Sequence, residues 1–224
     1  MEIIPNVYQI EDGFVNTYLI VANDGLILID TGFSTNAKNI HTKIEELGFT
    51  ASDLKLILIT HTDKDHVGGL SNLIKASNAK LYASRFEGEA IQKGEPSRPL
   101  IGKGLMKFVY RLTTPLSKFP PAEIDEFLSD EQVLDIASGL RVISTPGHTP
   151  EHIAFFLEAQ GILFAGDALR APAGELHISS GSNTWDEAKA IESAKTLANL
   201  KPKIVCCGHG PVVFEATDKI PTKQ

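Results

Sequence analysis

Four residues able to bind a metal ion fall within one six-residue run, His61-Thr62-Asp63-Lys64-Asp65-His66. Imidazole and carboxylate both ligate zinc. From an extended loop His61 and Asp63 can point one way, leaving Asp65 and His66 to serve a neighbouring ion. His148, Asp167 and His209 add three ligand types further along the chain. A carboxylate between two dications lowers their mutual repulsion, a role open to Asp167. A remaining coordination position would hold water, deprotonated near neutral pH by the metals. Gly68-Gly69 follows the cluster and lets the backbone turn tightly before a helix.

Four of these residues, His61, His148, Asp167 and His209, stand where a strand should end. The near-continuous apolar run Lys55 to Thr60 (KLILIT) reads as a strand buried on both faces and enters His61. RVISTPG enters His148, ILFAG enters Asp167 and KIVCCG enters His209. Loops beyond strand ends converge at a sheet edge, where a rigid scaffold can hold chemistry. Upstream, Asn16 to Val21 and Leu26 to Asp30 flank the turn Asn23-Asp24-Gly25, a hairpin signal. Ala37 to Leu47 carries Ile40, Ile44 and Leu47 at helical spacing, with Gly48 as its stop. A short helix from Gly69 to Ala76 and a strand from Lys80 to Ala83 should follow the cluster. Leu140 to Ser144, Ile153 to Leu157, Gly161 to Phe164 and Ile204 to Cys207 read as strands. Thr184 to Leu200 reads as a helix opened by the capping box Thr184-Trp185-Asp186-Glu187.

In order and local context, these ligands resemble the metallo-β-lactamase superfamily signature, His-x-His-x-Asp-His followed downstream by single His, Asp and His ligands. The resemblance runs from about Val7 to Val213. It implies an α/β fold, the αββα sandwich, with two divalent metals, zinc first, at one edge of the sheets. It further implies a binuclear metal-dependent hydrolase in which a metal-bound hydroxide attacks an ester-, lactone- or thioester-like carbonyl. Its ligands would be His61, Asp63, Asp65, His66, His148, Asp167 and His209, with Asp65 also accepting a hydrogen bond from the hydroxide. Asp30-Thr31-Gly32 resembles a turn found near the metals, which makes Asp30 a group that orients a ligand.

Two residues depart from the pattern. Asp63 stands where the family has His; its harder oxygen opens the first position to manganese or iron. Arg170 stands three residues after Asp167, where the acyl-homoserine-lactone lactonases carry a tyrosine that assists at the carbonyl. Its planar fork suits a carboxylate or phosphate, so Arg170 is a candidate catalytic or substrate-binding group. Glyoxalase II enzymes resemble the chain in the metal motif and usually add a C-terminal helical domain; the chain ends at Gln224, soon after His209. A phosphodiesterase or iron-dependent redox variant of the fold, and a non-catalytic metal-containing binding module, are the alternatives.

Other residues have plainer readings. His152 precedes a strand and reads as a packing or ligand-supporting histidine, His41 as a surface residue, and His177 as a loop residue with some claim to the pocket. Cys206 and Cys207 read as small buried residues. Residues 94–121, bracketed by prolines, read as an insertion or lid whose stripe Leu105, Phe108, Val109, Leu112 could roof the site.

The 224 residues suit a single domain, 1–224, and 42% hydrophobic content suffices for a core. A net charge of −7 argues against general nucleic-acid binding and leaves room for a local basic pocket; the expected partner is a small molecule, with Arg170 the reason to expect an anionic one. No apolar run reaches membrane-spanning length. The two cysteines are adjacent and form no disulfide framework, which points to the cytoplasm. Nothing fixes the oligomeric state.

Overall fold

The computed structural model describes residues 1–98 and 118–223. Among these residues two mixed sheets dominate. The first has seven strands in sequence order: β1 (Glu2–Ile4), β2 (Val7–Asp12), β3 (Val15–Ala22), β4 (Gly25–Ile29), β5 (Leu54–Leu58), β6 (Lys80–Ser84) and β7 (Glu126–Leu128). The second has six: β8 (Val133–Leu134), β9 (Leu140–Ser144), β10 (Ile153–Leu157), β11 (Ile162–Gly166), β14 (Ile204–Cys207) and β15 (Val213–Phe214), ordered β15-β14-β11-β10-β9-β8. A ribbon of β12 (Leu169–Arg170) and β13 (His177–Ile178) lies beyond β11.

Strand alternation explains the layering. Along β4, Ile27 and Ile29 face the second sheet, while Leu26 and Leu28 face the opposite way. Inward residues of both sheets, among them Tyr18, Leu58, Val142, Phe155 and Phe164, form a central core. Burying one such aromatic ring contributes about 1.5–3 kcal/mol. Outside the first sheet lie α1 (Ala37–Glu46), α3 (Leu70–Ser77) and α4 (Arg85–Lys93), which bury Ile40, Ile44, Leu70, Leu73 and Ile91. Outside the second, α5 (Glu187–Asn199) buries Ala190, Ala194 and Leu197. Helices thus cover both outer faces: the αββα sandwich. Because both faces of these strands are covered, they read as unbroken apolar runs.

Local signals hold with small shifts. The Asn23-Asp24 turn joins β3 to β4, with Ala22 opposite Gly25. A one-turn helix, α2 (Lys64–Val67), precedes α3. Helix α5 starts at Glu187 with Asp186 as its cap, accepting from the Lys189 amide at 3.1 Å, so Thr184 is not the capping residue. The apolar stripe at 105, 108, 109 and 112 lies outside the described residues. The flanks of that stretch do meet: the Phe119 amide donates to the Gly94 carbonyl at 3.2 Å, and Phe119 is buried against the helices of the first sheet.

Strands β4, β5, β6 and β7 run parallel, as do β11 and β14. The carboxyl ends of β4, β5, β11 and β14 lead into Asp30, His61, Asp167 and His209. In open α/β sheets that is where ligands bind.

Candidate metal centre

The backbone leaves β5 after Ile59, whose amide still pairs with the Tyr82 carbonyl at 3.0 Å. Thr60 to Asp63 then run outward, and α2 carries Asp65 and His66 back over the sheet edge. Gly68 and Gly69 have ordinary helical dihedrals, so no unusual turn requires them. Space does: a Cβ on Gly69 would lie 2.5 Å from the Thr31 carbonyl oxygen, and one on Gly68 2.6 Å from that of Lys64.

All seven ligand candidates converge as overlapping sets. His61, Asp63 and His148 form one set; Asp65, His66 and His209 form another; His61, His66 and Asp167 form a third between them. Asp63 Oδ2 is 3.7 Å from His61 Nε2 and 3.1 Å from His148 Nε2. Asp65 Oδ2 is 4.0 Å from His66 Nε2 and 3.4 Å from His209 Nε2. Asp167 reaches both sides: Oδ1 lies 3.4 Å from His66 Nε2, while Oδ2 lies 3.2 Å from His209 Nε2 and 3.6 Å from His148 Nε2. Donor atoms around one tetrahedral zinc, each at about 2.0–2.1 Å, stand roughly 3.3 Å apart.

Three of the donor atoms are also ones the protein leaves unpaired. His61 Nε2, His66 Nε2 and Asp167 Oδ1 are buried without a hydrogen bond. A buried polar atom of this kind costs free energy unless something binds it. All four rings are fixed through Nδ1 instead: His61 to Thr60 Oγ1 at 3.0 Å, His66 to Asp30 at 2.8 Å, His148 to Ser179 Oγ at 3.2 Å, and His209 to the Phe14 carbonyl at 2.7 Å. Anchoring one ring nitrogen so that the other faces the metal is the usual architecture of such sites. This donor chemistry fits divalent metal.

A layer of supporting residues holds this arrangement. Asp30, at φ 58°, accepts from the Thr60 amide and hydroxyl, each at 2.8 Å, and from His66. His152 is buried; its Nδ1 meets Thr145 Oγ1 at 2.7 Å and its Nε2 accepts the Asp167 amide at 3.1 Å. Asn16 and Tyr18 on β3 donate to the Cys207 carbonyl at 3.0 and 2.6 Å, and so tie the strand before His209 to the opposite sheet.

Burial, with His66 and His148 nearby, pushes the His61 imidazole well down, and burial brings that of His148 to about 4. Burial acts the same way on His66 and His209, but Asp30 and Asp167 override it for His66, and Asp167 with Asp65 hold His209 at about 10. Burial would raise Asp65, yet His209 and His66 bring its carboxyl down to about 2. Against the same burial, His66 and His209 hold Asp167 well below the carboxylate range. Asp65 and Asp167 therefore stay ionised.

His177 and Arg170 face each other across the β12–β13 ribbon and line, with Asp65, His148, Asp167 and His209, a cleft of about 1390 Å³. His41 sits on α1, among none of these sets.

Sequence reasoning did not single out Glu87 or Arg98. Glu87, on α4, is wholly buried and accepts from the Thr62 amide at 3.0 Å, the Thr62 hydroxyl at 2.8 Å and the Thr149 hydroxyl at 2.5 Å. It joins the His61–Asp63 loop to the loop of His148. Burial raises its carboxyl above the usual Glu value despite these donors. The folded chain therefore binds that proton more tightly than the unfolded chain. This contribution to stability is complete below the ordinary Glu value and is lost as pH rises through the raised one. Glu87→Gln should accordingly gain stability relative to wild type as pH rises through that window, whereas Glu87→Ala, which leaves the donors unpaired, should cost about 2–3 kcal/mol. Urea unfolding at a series of pH values measures both; a Gln variant that loses ground with rising pH would contradict the assignment.

With this geometry established, comparison with known proteins gives a consistent picture. The protein YobT of Bacillus subtilis is 29% identical over 92% of this chain and 87% of its own length. A hydroxyacylglutathione hydrolase of Methylobacillus flagellatus is 28% identical over 93% of this chain and 66% of its own. The crystal structure of a metallo-beta-lactamase family protein from Thermus thermophilus superposes with a TM-score of 0.74, at 24% identity, over 97% of this chain and 77% of that one. The family model described as the metallo-beta-lactamase superfamily matches residues 10–209, and the chain belongs to that superfamily.

Proposed function

We propose that the chain is a hydrolase working with two divalent metal ions on an ester-, thioester- or lactone-like bond in a small molecule that carries an anionic group. The observation that carries this reading is the meeting of two three-donor sets at a shared carboxylate, Asp167, in the wall of a cleft. A relative named hydroxyacylglutathione hydrolase supports hydrolysis as the reaction class.

His61, Asp63 and His148 would hold one ion, Asp65, His66 and His209 the other, and Asp167 would face both. Zinc suits the imidazole-rich donors, while the oxygen of Asp63 also admits manganese or iron at the first position. Bound there, the ions would supply a water deprotonated near neutral pH and an electrophile for the carbonyl oxygen. The ionised Asp65 would orient the nucleophile by accepting its proton in a hydrogen bond. Arg170, with a buried Nε that has no hydrogen-bond partner, would bind the anionic group from the cleft wall, with the exposed His177 beside it. The setting assumed is one domain in a reducing cytoplasm, which the free, buried thiols of Cys206 and Cys207 suit. No helix among the described residues is long and apolar enough to cross a membrane.

Steady-state kinetics on matched anionic and neutral thioesters, lactones and esters, with a phosphodiester alongside, test the reading. Turnover confined to the phosphodiester would replace it, and no turnover by the two-ion protein would favour a binding module. Arg170→Ala should lower kcat/KM on anionic substrates about 10–100-fold, mainly through KM, and leave neutral ones nearly unchanged. Equal effects on both series would remove Arg170 from substrate recognition.

A further inference from the structure

We propose that Arg98 is a built-in competitor for the first metal position: its guanidinium takes the carboxylate oxygen of Asp63 and the nitrogen of His148 that an ion there would need. The inference rests on the two-ion reading and adds an order to it. The second position fills first, and the first fills only as Arg98 gives way.

The contacts are specific. One guanidinium nitrogen, Nη2, forms an ion pair with Asp63 Oδ2 and stands 3.3 Å from His148 Nε2. The other, Nη1, donates to the Asn183 carbonyl at 2.9 Å. One residue earlier, the Ser97 amide donates to Thr62 Oγ1 at 2.7 Å, which fixes the backbone beside the His61–Asp63 loop. The arginine is held from two directions, with Nη2 on the first donor set and Nη1 on the Asn183 carbonyl.

The competition follows from lone pairs. A neutral imidazole has one acceptor nitrogen. The Nδ1 of His148 faces Ser179 Oγ, so Nε2 is the atom presented to the first position. An N–H of Arg98 and a metal ion cannot share its single lone pair. Arginine stays charged at any ordinary pH, so deprotonation does not resolve the conflict. It also accounts for Asp63. A carboxylate here gives the guanidinium a counter-charge, whereas an imidazole in its place would offer none. Asp63 and Arg98 act as one unit that sets the affinity of the first position.

Zinc binding, measured by calorimetry and by competition with a chromophoric chelator, tests this. Asp65→Ala assigns the steps by removing the tighter one. In the wild type two separated steps are expected. Arg98→Ala should strengthen the weaker step at least tenfold and leave the tighter one within twofold. Arg98→Gln, which keeps the length of the stem without the charge, should do the same. In an Asp63→His background Arg98→Ala should change the weaker step less than it does in the wild type, because the counter-charge that holds the guanidinium is gone. If wild type and both Arg98 variants take up two ions with the same constants, the competitor is refuted and the two-ion reading stands. If none takes up more than one ion, both fall.

Discussion

Replacing Asp167 by Ala should lower turnover at least about 100-fold and bring the ion content of the purified chain from two down to one or none. Loss of a group that merely orients a metal ligand typically costs 10–100-fold, and Asp167 would face both proposed ion positions directly. Its two oxygens meet His66 on one side and His148 and His209 on the other. With Asp30 at His66 and Asp65 at His209, it also offsets the charge of those two imidazoles. Without it, two dications at the site would repel one another with nothing between them, and at this burial that repulsion is weakly screened. Elemental analysis paired with kinetics gives the answer. An Asp167→Ala protein that keeps two ions and near-normal turnover would show that the sets are joined by some other group.

The second large effect is steric. A Cβ on Gly208 would sit 2.4 Å from Asp167 Oδ1 and 2.6 Å from His66 Cε1, distances that real carbon contacts do not reach. Gly208→Ala must therefore push aside the shared carboxylate or the His66 ring. Overpacking of this kind costs about 1–3 kcal/mol of stability. Ion binding should suffer far more, with affinity down at least tenfold, because it requires both groups in place. Gly48→Ala is the control. Gly48 has φ 83°, and a Cβ added there would meet no atom within 4 Å, so its substitution should cost about 1 kcal/mol through the backbone alone and leave ion binding intact. Thermal unfolding and zinc titration of both variants separate the two costs. If the variants prove equal in zinc affinity, Gly208 is not what makes room for the centre.

The main lines of the fold and the ligand cluster are readable because their signals are local. The candidates His61, His148, Asp167 and His209 each follow an apolar run, and an apolar run buried on both sides looks the same in the sequence as in the sandwich. What stays hidden depends on partners far away in the chain. Helix α4 carries few apolar residues because part of its buried face is Glu87 and Gly88; a Cβ on Gly88 would meet the Phe127 ring at 2.7 Å, so the helix packs through the absence of a side chain. Glu87 itself looks like a surface acid until Thr62 and Thr149 close over it. Asn16 reads as one more strand residue, yet its amide caps carbonyls of Cys207 and Gly210. Arg98 sits among prolines with nothing in its neighbourhood to advertise Asp63. The capping-box pattern points to Thr184, two residues too early, since Asp186 competes for the same role and prevails.

The division of donors between the sheets governs when in folding an ion can matter. In the proposed two-ion reading the first position would draw His61 and Asp63 from the edge of one sheet and His148 from the other, and the second would draw Asp65 and His66 from one and His209 from the other. Neither half of the sandwich owns a complete set. An ion therefore cannot nucleate either sheet, as zinc does in a small finger domain; it can only latch two sheets that have already docked. Separation of the halves would release the ions in the same event, so the rate of metal loss bounds how often the sandwich opens.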